Sequence, residues 1–494
     1  MTATATPPKT QSASTAGKHL GATLFLSCLA QFMVILDVSV VNVALPAIRT
    51  GLHFSQVDLS WIVNAYTVLF AGFLLLGGRA ADLLGRRRVF VGGLLLFALA
   101  SLVGGFADSQ GVLIAARAAQ GLGGAVIAPA SLSILTTTFR EGPERNRALG
   151  AWGAMGGAGG SAGVLLGGAL TDLASWRWIL FINVPIALAT VAGSLRYVAE
   201  GRDRDRVRSF DLAGALTATI GLMALVWTIV RADVNGWGSA QTLGGLAIGL
   251  TLIAIFLAIE GRLAKAPLMP LRIFASRRLS GANAVVFMLG AAMFAMWFFV
   301  SLYLQQVLGY SPLEAGLAFL PMTLTIVIGS ALASRAVARV GVKPLLAVGM
   351  LIEAVGLLLF TTISANGSYL SDVALPSVVV AVGIGLSFVP VTIAAVAGVA
   401  REEAGLASGL VNTSRLMGGA LGLALLSALA TARTDGELSR GAGAGAVHSA
   451  LVDGYHLAFY IGAGFALTGA LLTVLVLQQT RPRRTGHPSP EPAA

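Results

Sequence analysis

The sequence predicts an all-α integral membrane protein with fourteen transmembrane helices. Of its 494 residues, 56% are hydrophobic and only 11% are charged, and the mean hydropathy is +0.82. A soluble domain carries roughly 25% charged residues. Runs of about 20 mainly apolar residues, the length that spans a bilayer, follow one another along the whole chain. Together these observations exclude a soluble globular protein.

The order of the apolar runs gives the predicted spans. They begin near Leu20, Leu59, Val89, Gly111, Ala148, Trp178, Asp211, Gln241, Gly281, Ser311, Pro344, Val373, Leu406 and Tyr455. The residues before the first run are polar and contain no cleavable signal peptide, so we expect the first span to remain in the mature protein.

Most basic residues fall on one side of the predicted membrane. An even number of spans places both termini on the same side. If that side is the cytoplasm, 26 of the 33 basic residues lie in cytoplasmic segments and five in external loops. Cytoplasmic loops carry an excess of Lys and Arg, so this asymmetry supports the count. The net charge of +11 then reflects topology, and we expect no nucleic-acid partner.

A short internal similarity divides the spans into two groups of six with a pair between them. Residues 79–94 align without gaps to residues 335–350, and Gly85 then matches Gly341. Two pseudo-equivalent bundles are one established plan for secondary transporters. The predicted divisions are a cytoplasmic tail 1–19, a six-helix bundle 20–197, a cytoplasmic linker 198–210, inserted helices 211–260, a cytoplasmic loop 261–279, a six-helix bundle 280–478 and a cytoplasmic tail 479–494.

Few ionisable residues lie inside the predicted spans. They are Asp37, Arg117, Glu353 and Arg415. A charge at the bilayer centre costs at least ~2.5–3.5 kcal/mol on insertion scales, so each is a functional candidate. Burial disfavours the charged form of a carboxyl group, and a buried Asp37 could therefore bind a proton on one side of the membrane and release it on the other. The alternative is a permanently paired, structural Asp37.

A charged turn between the second and third spans carries a recognisable motif. Residues 78–88 read G-R-A-A-D-L-L-G-R-R-R, which resembles the signature loop G-x-x-x-D-x-x-G-R-[RK] of the major facilitator superfamily. The resemblance implies a conformational latch at this loop. Its predicted members are Gly78, Asp82, Gly85, Arg86 and Arg87.

The first span carries a more specific resemblance. The stretch L-D-V-S-V-V-N-V-A-L-P, residues 36–46, is similar to the first-span motif of the fourteen-helix drug:proton antiporters within that superfamily. The resemblance implies that Asp37 takes part in proton coupling. Arg117 and Gln120 match the fourth-span motif R-x-x-q-G, which implies that Arg117 assists proton transfer. We expect Arg117 to pair with Asp37, either in that role or as a structural ion pair.

The fifth span is rich in glycine. Gly159, Gly163 and Gly167 form a row of small residues that lets helices approach closely. The stretch G-G-S-A-G-V-L-L-G-G, which ends at Gly168, resembles the antiporter motif G-x-x-x-G-P-x-x-G-G. Val164 replaces the motif proline, so any role of that proline in kinking the helix is in doubt here.

Four further stretches are characteristic of the same family. They are residues 175–185, 267–274, 309–316 and 405–422, of which the last contains Arg415. Glu353 belongs to no family motif. Its span is the third of a bundle and is expected at the periphery, where a paired or lipid-groove carboxyl is favoured over one in the cavity. Glu353 remains a second protonation candidate, and Arg415 is a secondary candidate for a functional residue.

These observations predict a proton-coupled antiporter of major facilitator fold that exports amphipathic organic compounds, such as drugs, antibiotics or the cell's own metabolites. The residues expected to line its substrate cavity are Gln31, Asn42, Tyr66, Gln120, Tyr303 and Gln305. Two alternatives remain open: an uptake carrier of the same fold, and a membrane sensor or scaffold that transports nothing.

The sequence also indicates what the protein lacks. There is no phosphate-binding loop, so we expect no use of ATP and a proton gradient as the driving force. The single cysteine, Cys28, excludes a cysteine-based metal cluster. We expect no metal, no cofactor and no enzymatic activity. The predicted partners are the substrate, protons and the lipid bilayer, and the predicted state is a monomer in the plasma membrane.

Overall fold

The computed structural model describes residues 13–140, 143–200, 211–264, 267–396, 404–440 and 446–477. Within these ranges the protein consists of helices, turns and short connections, with no β-strand. The predicted all-α class is confirmed.

The helices of the first bundle follow the predicted order. They are α1 (Ala13–Leu52), α2 (Trp61–Leu84), α3 (Arg86–Gly105), α4 (Gln110–Thr138), α5 (Pro143–Leu173), and a sixth span made of α6 (Trp178–Phe181) and α7 (Asn183–Tyr197). The inserted pair is α8 (Leu212–Asn235) and α9 (Ala240–Ala258). A π-helical turn, Ile259–Leu263, extends α9.

The second bundle repeats this order. Its helices are α10 (Arg277–Leu302), a tenth span made of α11 (Pro312–Ala318) and α12 (Leu320–Val340), α13 (Val342–Leu359), α14 (Leu375–Val396), α15 (Ala404–Arg440) and α16 (Ala446–Val476). Short segments of 3₁₀ or π geometry lie at Asp58–Ser60, Leu271–Ala275, Tyr303–Val307, Phe360–Thr362 and Tyr369–Ala374.

Thirteen of the described segments are long and apolar enough to cross a membrane. The fourteenth predicted span corresponds to α5, a helix of 31 residues. Its many glycines add length without much hydropathy, which explains why it falls outside the thirteen. The fourteen predicted spans therefore all correspond to helices.

Some predicted boundaries differ from the structure. α1 begins at Ala13 rather than near Leu20, because polar Ser, Thr and Lys residues do not prevent a helix from extending beyond the apolar core of a membrane. The predicted loop 261–279 contains the 3₁₀ helix Leu271–Ala275 and the first turn of α10. Most of the predicted linker 198–210 and the tail 479–494 lie outside the described residues.

A glycine ends one helix in each bundle, at positions that the internal sequence similarity aligns. Gly85 separates α2 from α3 with φ of 111°, and Gly341 separates α12 from α13 with φ of 91°. Side chains rarely adopt positive φ, so a glycine permits the sharp turn between the two helices. We call the end of the molecule that carries Gly85 and the neighbouring arginines 86–88 the basic end.

The two bundles contact each other closely away from the basic end. In α10, Ser301 Oγ donates to the carbonyl oxygen of Asn42 in α1 at 2.6 Å. Just beyond α10, Gln305 Nε2 donates to the carbonyl oxygen of Val43 at 2.8 Å. The backbones of α5 and α11 also touch, because Gly168 leaves room for the backbone of Pro312. The opposite end of the molecule is therefore closed by direct contact between bundles.

The glycine row of α5 packs against α1. An added Cβ at Gly159 would lie 2.9 Å from the carbonyl oxygen of Phe32, and one at Gly163 would lie 3.0 Å from that of Leu36. An added Cβ at Gly167 would lie 2.8 Å from the backbone of Val40. Because any side chain would push the helices apart, these glycines bring the α5 backbone against the helix that carries Asp37.

We expect Gly163→Val to lower the melting temperature of the purified protein in detergent. The new side chain would overlap Leu36 and Ser39, and overpacking of this kind typically costs about 1–3 kcal/mol. Differential scanning fluorimetry measures the shift. Gly156→Val is the matched control, since an added Cβ there meets no heavy atom within 4 Å. Equal melting temperatures for the two variants would contradict this packing.

Candidate functional site

Five helices of the first bundle bring polar side chains together at one buried point. α1, α2, α3, α4 and the start of α7 each contribute at least one residue. No member is more than 2% exposed, and the members are Asp37, Tyr66, Ser101, Arg117, Gln120 and Asn183. We call this group the buried charge cluster.

An ion pair lies at the centre of the cluster. Arg117 Nη1 donates to Asp37 Oδ2 at 2.5 Å. The same nitrogen donates to Gln120 Oε1 at 2.9 Å, and Nε donates to the carbonyl oxygen of Ile62 at 3.0 Å. The guanidinium is thus held between α1, α2 and α4. Its planar, branched set of donors makes these contacts in a way that the single ammonium of a lysine could not.

The second oxygen of Asp37 accepts two further hydrogen bonds. Asn183 Nδ2 donates to Oδ1 at 2.8 Å and Gln120 Nε2 donates to it at 3.0 Å. Every partner of the carboxylate is therefore a donor, an arrangement that fits the ionised form. A proton added to Oδ1 would have to replace one of its two bonds.

Tyr66 covers the other side of the guanidinium. The Cζ atom of Arg117 lies 4.5 Å from the centroid of the Tyr66 ring, a cation–π contact. The close approach of α4 to α2 depends on glycine: a side chain at Gly121 would overlap the backbone of Tyr66, and a Cβ at Gly124 would lie 3.1 Å from its hydroxyl. The cluster is consequently walled off from solvent in this conformation.

The predicted latch residues form a second polar group, at the basic end. Arg86 Nε donates to Ser133 Oγ of α4 at 2.8 Å, and Ser133 donates to Asp82 Oδ1 at 3.3 Å. Arg86 also lies 3.5 Å from the Asp82 carboxylate. Arg87 pairs with Glu200 at 3.5 Å. Asp82, Arg86 and Ser133 thus connect α2, α3 and α4. Gly78, the first residue of the motif, packs on Pro129 of α4.

A cavity of about 560 Å³ opens beside this loop. Its walls come from α2, the start of α3, α4, α5, α15 and residues 267–270. The lining residues are Leu74, Leu75, Gly78, Arg79, Asp82, Arg86, Ala128, Pro129, Leu132, Ser133, Thr136, Thr137, Trp152, Pro267, Leu268, Pro270, Leu406, Gly409 and Asn412. The surface is mostly apolar, with a small charged area at Arg79, Asp82 and Arg86.

None of the six residues predicted to contact substrate lines this cavity. Tyr66 and Gln120 belong to the buried charge cluster. Gln305 bonds to the backbone of α1, and the Asn42 side chain bonds to the carbonyl oxygen of Val38 one turn before it.

The other two predicted contacts also lie elsewhere. The Tyr303 hydroxyl donates to Asp372 at 3.0 Å, inside the second bundle. Gln31 is partly buried, and its Oε1 has no partner among the described residues. Sequence periodicity places polar residues on a helix face, but it does not tell which neighbouring helix covers that face.

The two secondary candidates have different surroundings. Glu353 is fully buried, its backbone lies against Gly383 of α14, and neither of its carboxyl oxygens has a hydrogen-bond partner among the described residues. The expectation of a paired or lipid-groove carboxyl therefore stays a prediction, with no partner for it among the described residues. Arg415 bonds to Asn412 at 3.2 Å and lies 5.6 Å from the ring of Phe388.

Two members of the cluster were not identified from the sequence. Asn183 lies in the characteristic stretch 175–185, but nothing in the sequence distinguishes it from the neighbouring residues of that stretch. Ser101 carries no sequence signal, because isolated serines are common in membrane helices. No group of three or more His, Cys, Asp or Glu suited to a metal occurs among the described residues.

Comparison with known proteins places the chain among membrane transporters. The family model of the Major Facilitator Superfamily matches residues 27–423 and 282–493. The cephamycin export protein CmcT of Amycolatopsis lactamdurans is 41% identical, over 98% of this chain and 96% of its own length. The puromycin resistance protein pur8 of Streptomyces alboniger is 38% identical, over 94% and 93%.

A third relative and two solved structures agree. The tetracenomycin C resistance and export protein of Streptomyces glaucescens is 32% identical, over 96% of this chain and 94% of its own. A bacterial homologue of the human lysosomal transporter Spinster has a TM-score of 0.63 at 16% identity, covering 93% of this chain and 97% of that one. The peptide transporter POT has a TM-score of 0.64 at 16% identity, covering 92% and 94%. These likenesses show a shared fold.

The charge cluster yields a prediction about stability. Asp37→Leu and Arg117→Met should each lower the unfolding free energy by about 3–5 kcal/mol, because each leaves a buried charge without its partner. The double variant should recover much of that loss. Denaturant titration of the purified proteins in detergent gives the four values of the cycle. Additive effects of the two substitutions would contradict a buried ion pair.

Proposed function

Because the chain belongs to the major facilitator superfamily, we propose that this transporter is a proton-coupled antiporter that exports amphipathic organic compounds. Membership makes it a multi-pass membrane transporter rather than an enzyme. Direction, coupling ion and class of substrate are the proposed part. They rest on the buried charge cluster, on the cavity at the basic end and on the named relatives.

The arrangement of charge supports an orientation with the basic end in the cytoplasm. The loop with Arg86 and Arg87 lies at that end, and cytoplasmic loops are the ones enriched in Lys and Arg. With this orientation, both termini lie in the cytoplasm. The cavity of about 560 Å³ then lies on the cytoplasmic side, and the contacts of Ser301 and Gln305 with α1 close the outer side.

The single observation that carries the proposal is the bonding of Asp37. The fully buried carboxylate accepts hydrogen bonds from the side chains of Arg117, Gln120 and Asn183. One of these donors, the guanidinium of Arg117, is positively charged. These bonds support the ionised form of the carboxylate, which is the form left after a proton has been released. It occurs in a conformation that is closed outside and has its cavity on the proposed cytoplasmic side, which is the order of events that proton-driven export requires.

The cycle follows from competition for Asp37. In the outward-open state a proton from the acidic exterior binds the carboxylate, which weakens its attraction to Arg117 and loosens α1 from α4. Return to the inward state restores the Arg117 contact and expels the proton into the cytoplasm. A substrate bound from the cytoplasm travels in the opposite direction. The proton gradient thus supplies the free energy through one buried ion pair.

The latch residues fit this cycle as a second bistable contact. Asp82, Arg86 and Ser133 join α2, α3 and α4 beside the cavity. Their partly exposed side chains can exchange partners when the bundles rock, which a buried pair does less readily. We propose that these residues stabilise one conformation over the other, whereas Asp37 binds the proton.

The class of substrate follows from the cavity and the relatives. The walls are mostly apolar with one charged corner, which suits a molecule with an apolar body and a polar group. The relatives carry the names of an export protein for cephamycin, a resistance protein for puromycin and a resistance and export protein for tetracenomycin C. We propose antibiotics or related metabolites as the exported compounds.

The proposal predicts that Asp37→Asn abolishes substrate accumulation in everted membrane vesicles energised with an acidic interior. Asparagine is similar in size but cannot bind the transported proton. Its side-chain NH₂ group would also face the N–H donors that now bond to the Asp37 carboxylate. The test uses a panel that contains a cephamycin, puromycin and tetracenomycin C, with accumulation followed by mass spectrometry and protein level by immunoblot.

Asp172→Asn is the matched control, because Asp172 is an exposed acid at the end of α5. It should accumulate substrate at the wild-type rate. Wild-type accumulation by Asp37→Asn would overturn the coupling role. Loss of substrate from energised wild-type vesicles would indicate an uptake carrier instead.

A further inference from the structure

The inserted helices α8 and α9 contact both bundles and a segment that lines the cavity. α8 packs against α2 of the first bundle and α15 of the second, while α9 packs mainly on α8. At the outer end of α8, Arg231 pairs with Asp58 at 3.3 Å. At the basic end, the pair meets residues 267–270, which form one wall of the cavity. Two buried carboxyl groups, those of Glu260 and Asp211, lie at this second junction.

Glu260 holds that wall to the inserted pair. It lies in the π-helical turn after α9 and is only 4% exposed. Its Oε2 accepts a hydrogen bond from the backbone N–H of Met269 at 3.0 Å. A backbone N–H leaves the bond independent of the side chain at position 269, so Glu260 fixes the path of the main chain there.

Asp211 faces Glu260 from the start of α8. Its Oδ1 caps the helix by accepting from the N–H of Gly214 at 2.8 Å, and the residue is 7% exposed. The two carboxyl groups lie within hydrogen-bonding reach of each other. Asp211 Oδ2 and Glu260 Oε1 have no donor among the described residues. Two buried carboxylates in contact repel, whereas one proton shared between them makes a hydrogen bond.

Residues 267–270 also contact both bundles. The carbonyl oxygen of Pro267 accepts from Arg79 Nη1 of α2 at 3.4 Å. Ile273, just after the wall, packs with Ala407 and Leu410 of α15. Pro267, Leu268 and Pro270 line the cavity and add apolar surface to it. The position of this segment therefore sets the shape of the cavity.

We propose that Glu260, bridged to Asp211 by a shared proton, is a positioning residue that holds residues 267–270 as the apolar wall of the substrate cavity. The inserted pair then acts as a strut between the bundles. In this role Glu260 itself does not contact the substrate. This role rests on the proposed export function for its effect on transport, but the position of the wall is testable without it.

The test measures the wall directly. Leu268→Cys in a Cys28→Ser background places one reactive thiol on the cavity wall, and a membrane-impermeant maleimide labels it in everted vesicles. Glu260→Ala removes both bonds of the carboxyl. Glu260→Gln keeps an oxygen for the Met269 N–H and an amide donor for Asp211. Asp58→Ala is the matched control, since it frees the other end of α8.

Glu260→Ala should raise the labelling rate at position 268 several-fold, while Glu260→Gln and Asp58→Ala label at the rate of the parent. In the export assay, Glu260→Ala should raise KM several-fold with less effect on kcat, and Glu260→Gln should restore KM. A parental labelling rate in Glu260→Ala, or failure of Glu260→Gln to restore it, would overturn the proposal. Absence of export by the parent chain would instead count against the proposed function and leave the labelling result valid.

Discussion

The ion pair between Asp37 and Arg117 is the interaction on which the rest of the account depends. Burying two charges is expensive, and their attraction offsets the loss of hydration only when the remaining hydrogen-bonding groups are satisfied. Asn183, Gln120 and the backbone of α2 supply those bonds. Five helices therefore converge on one carboxylate. The proposed proton at Asp37 would weaken its contact with Arg117, and the bonds of Arg117 and Gln120 connect that change to α2 and α3.

Close helix packing makes such a cluster possible. Glycines on α4 and α5 remove the side chains that would keep α1 and α2 at a normal distance. Small residues at helix contacts provide van der Waals contact where lipid offers no hydrophobic driving force. Val164 shows that the motif proline is not needed for this contact, since its carbonyl oxygen still meets the backbone of α11 at Gly316.

The sequence predicted the fold and the centre of the site because both depend on rare features. Long apolar runs and the scarcity of charges inside them marked the helices, Asp37 and Arg117. The rest depends on how helices face one another. Asn183 looks like any polar residue in a span, and Tyr303 bonds within its own bundle through Asp372, which no spacing rule reveals. Glu260 carries no distinctive sequence signal, because it lies at the predicted boundary of a span, where charged residues are common.

The most direct test of the central claim measures protons on the purified protein. Substrate is added to wild-type and Asp37→Asn protein in weakly buffered detergent solution, and the pH is followed with a dye. Because substrate should bind the form with Asp37 ionised, we expect it to release protons from the wild type at a pH at which part of the population is protonated, and none from Asp37→Asn, while substrate still binds both. Equal proton release from the two proteins would show that another group carries the proton and would contradict the role given to this ion pair.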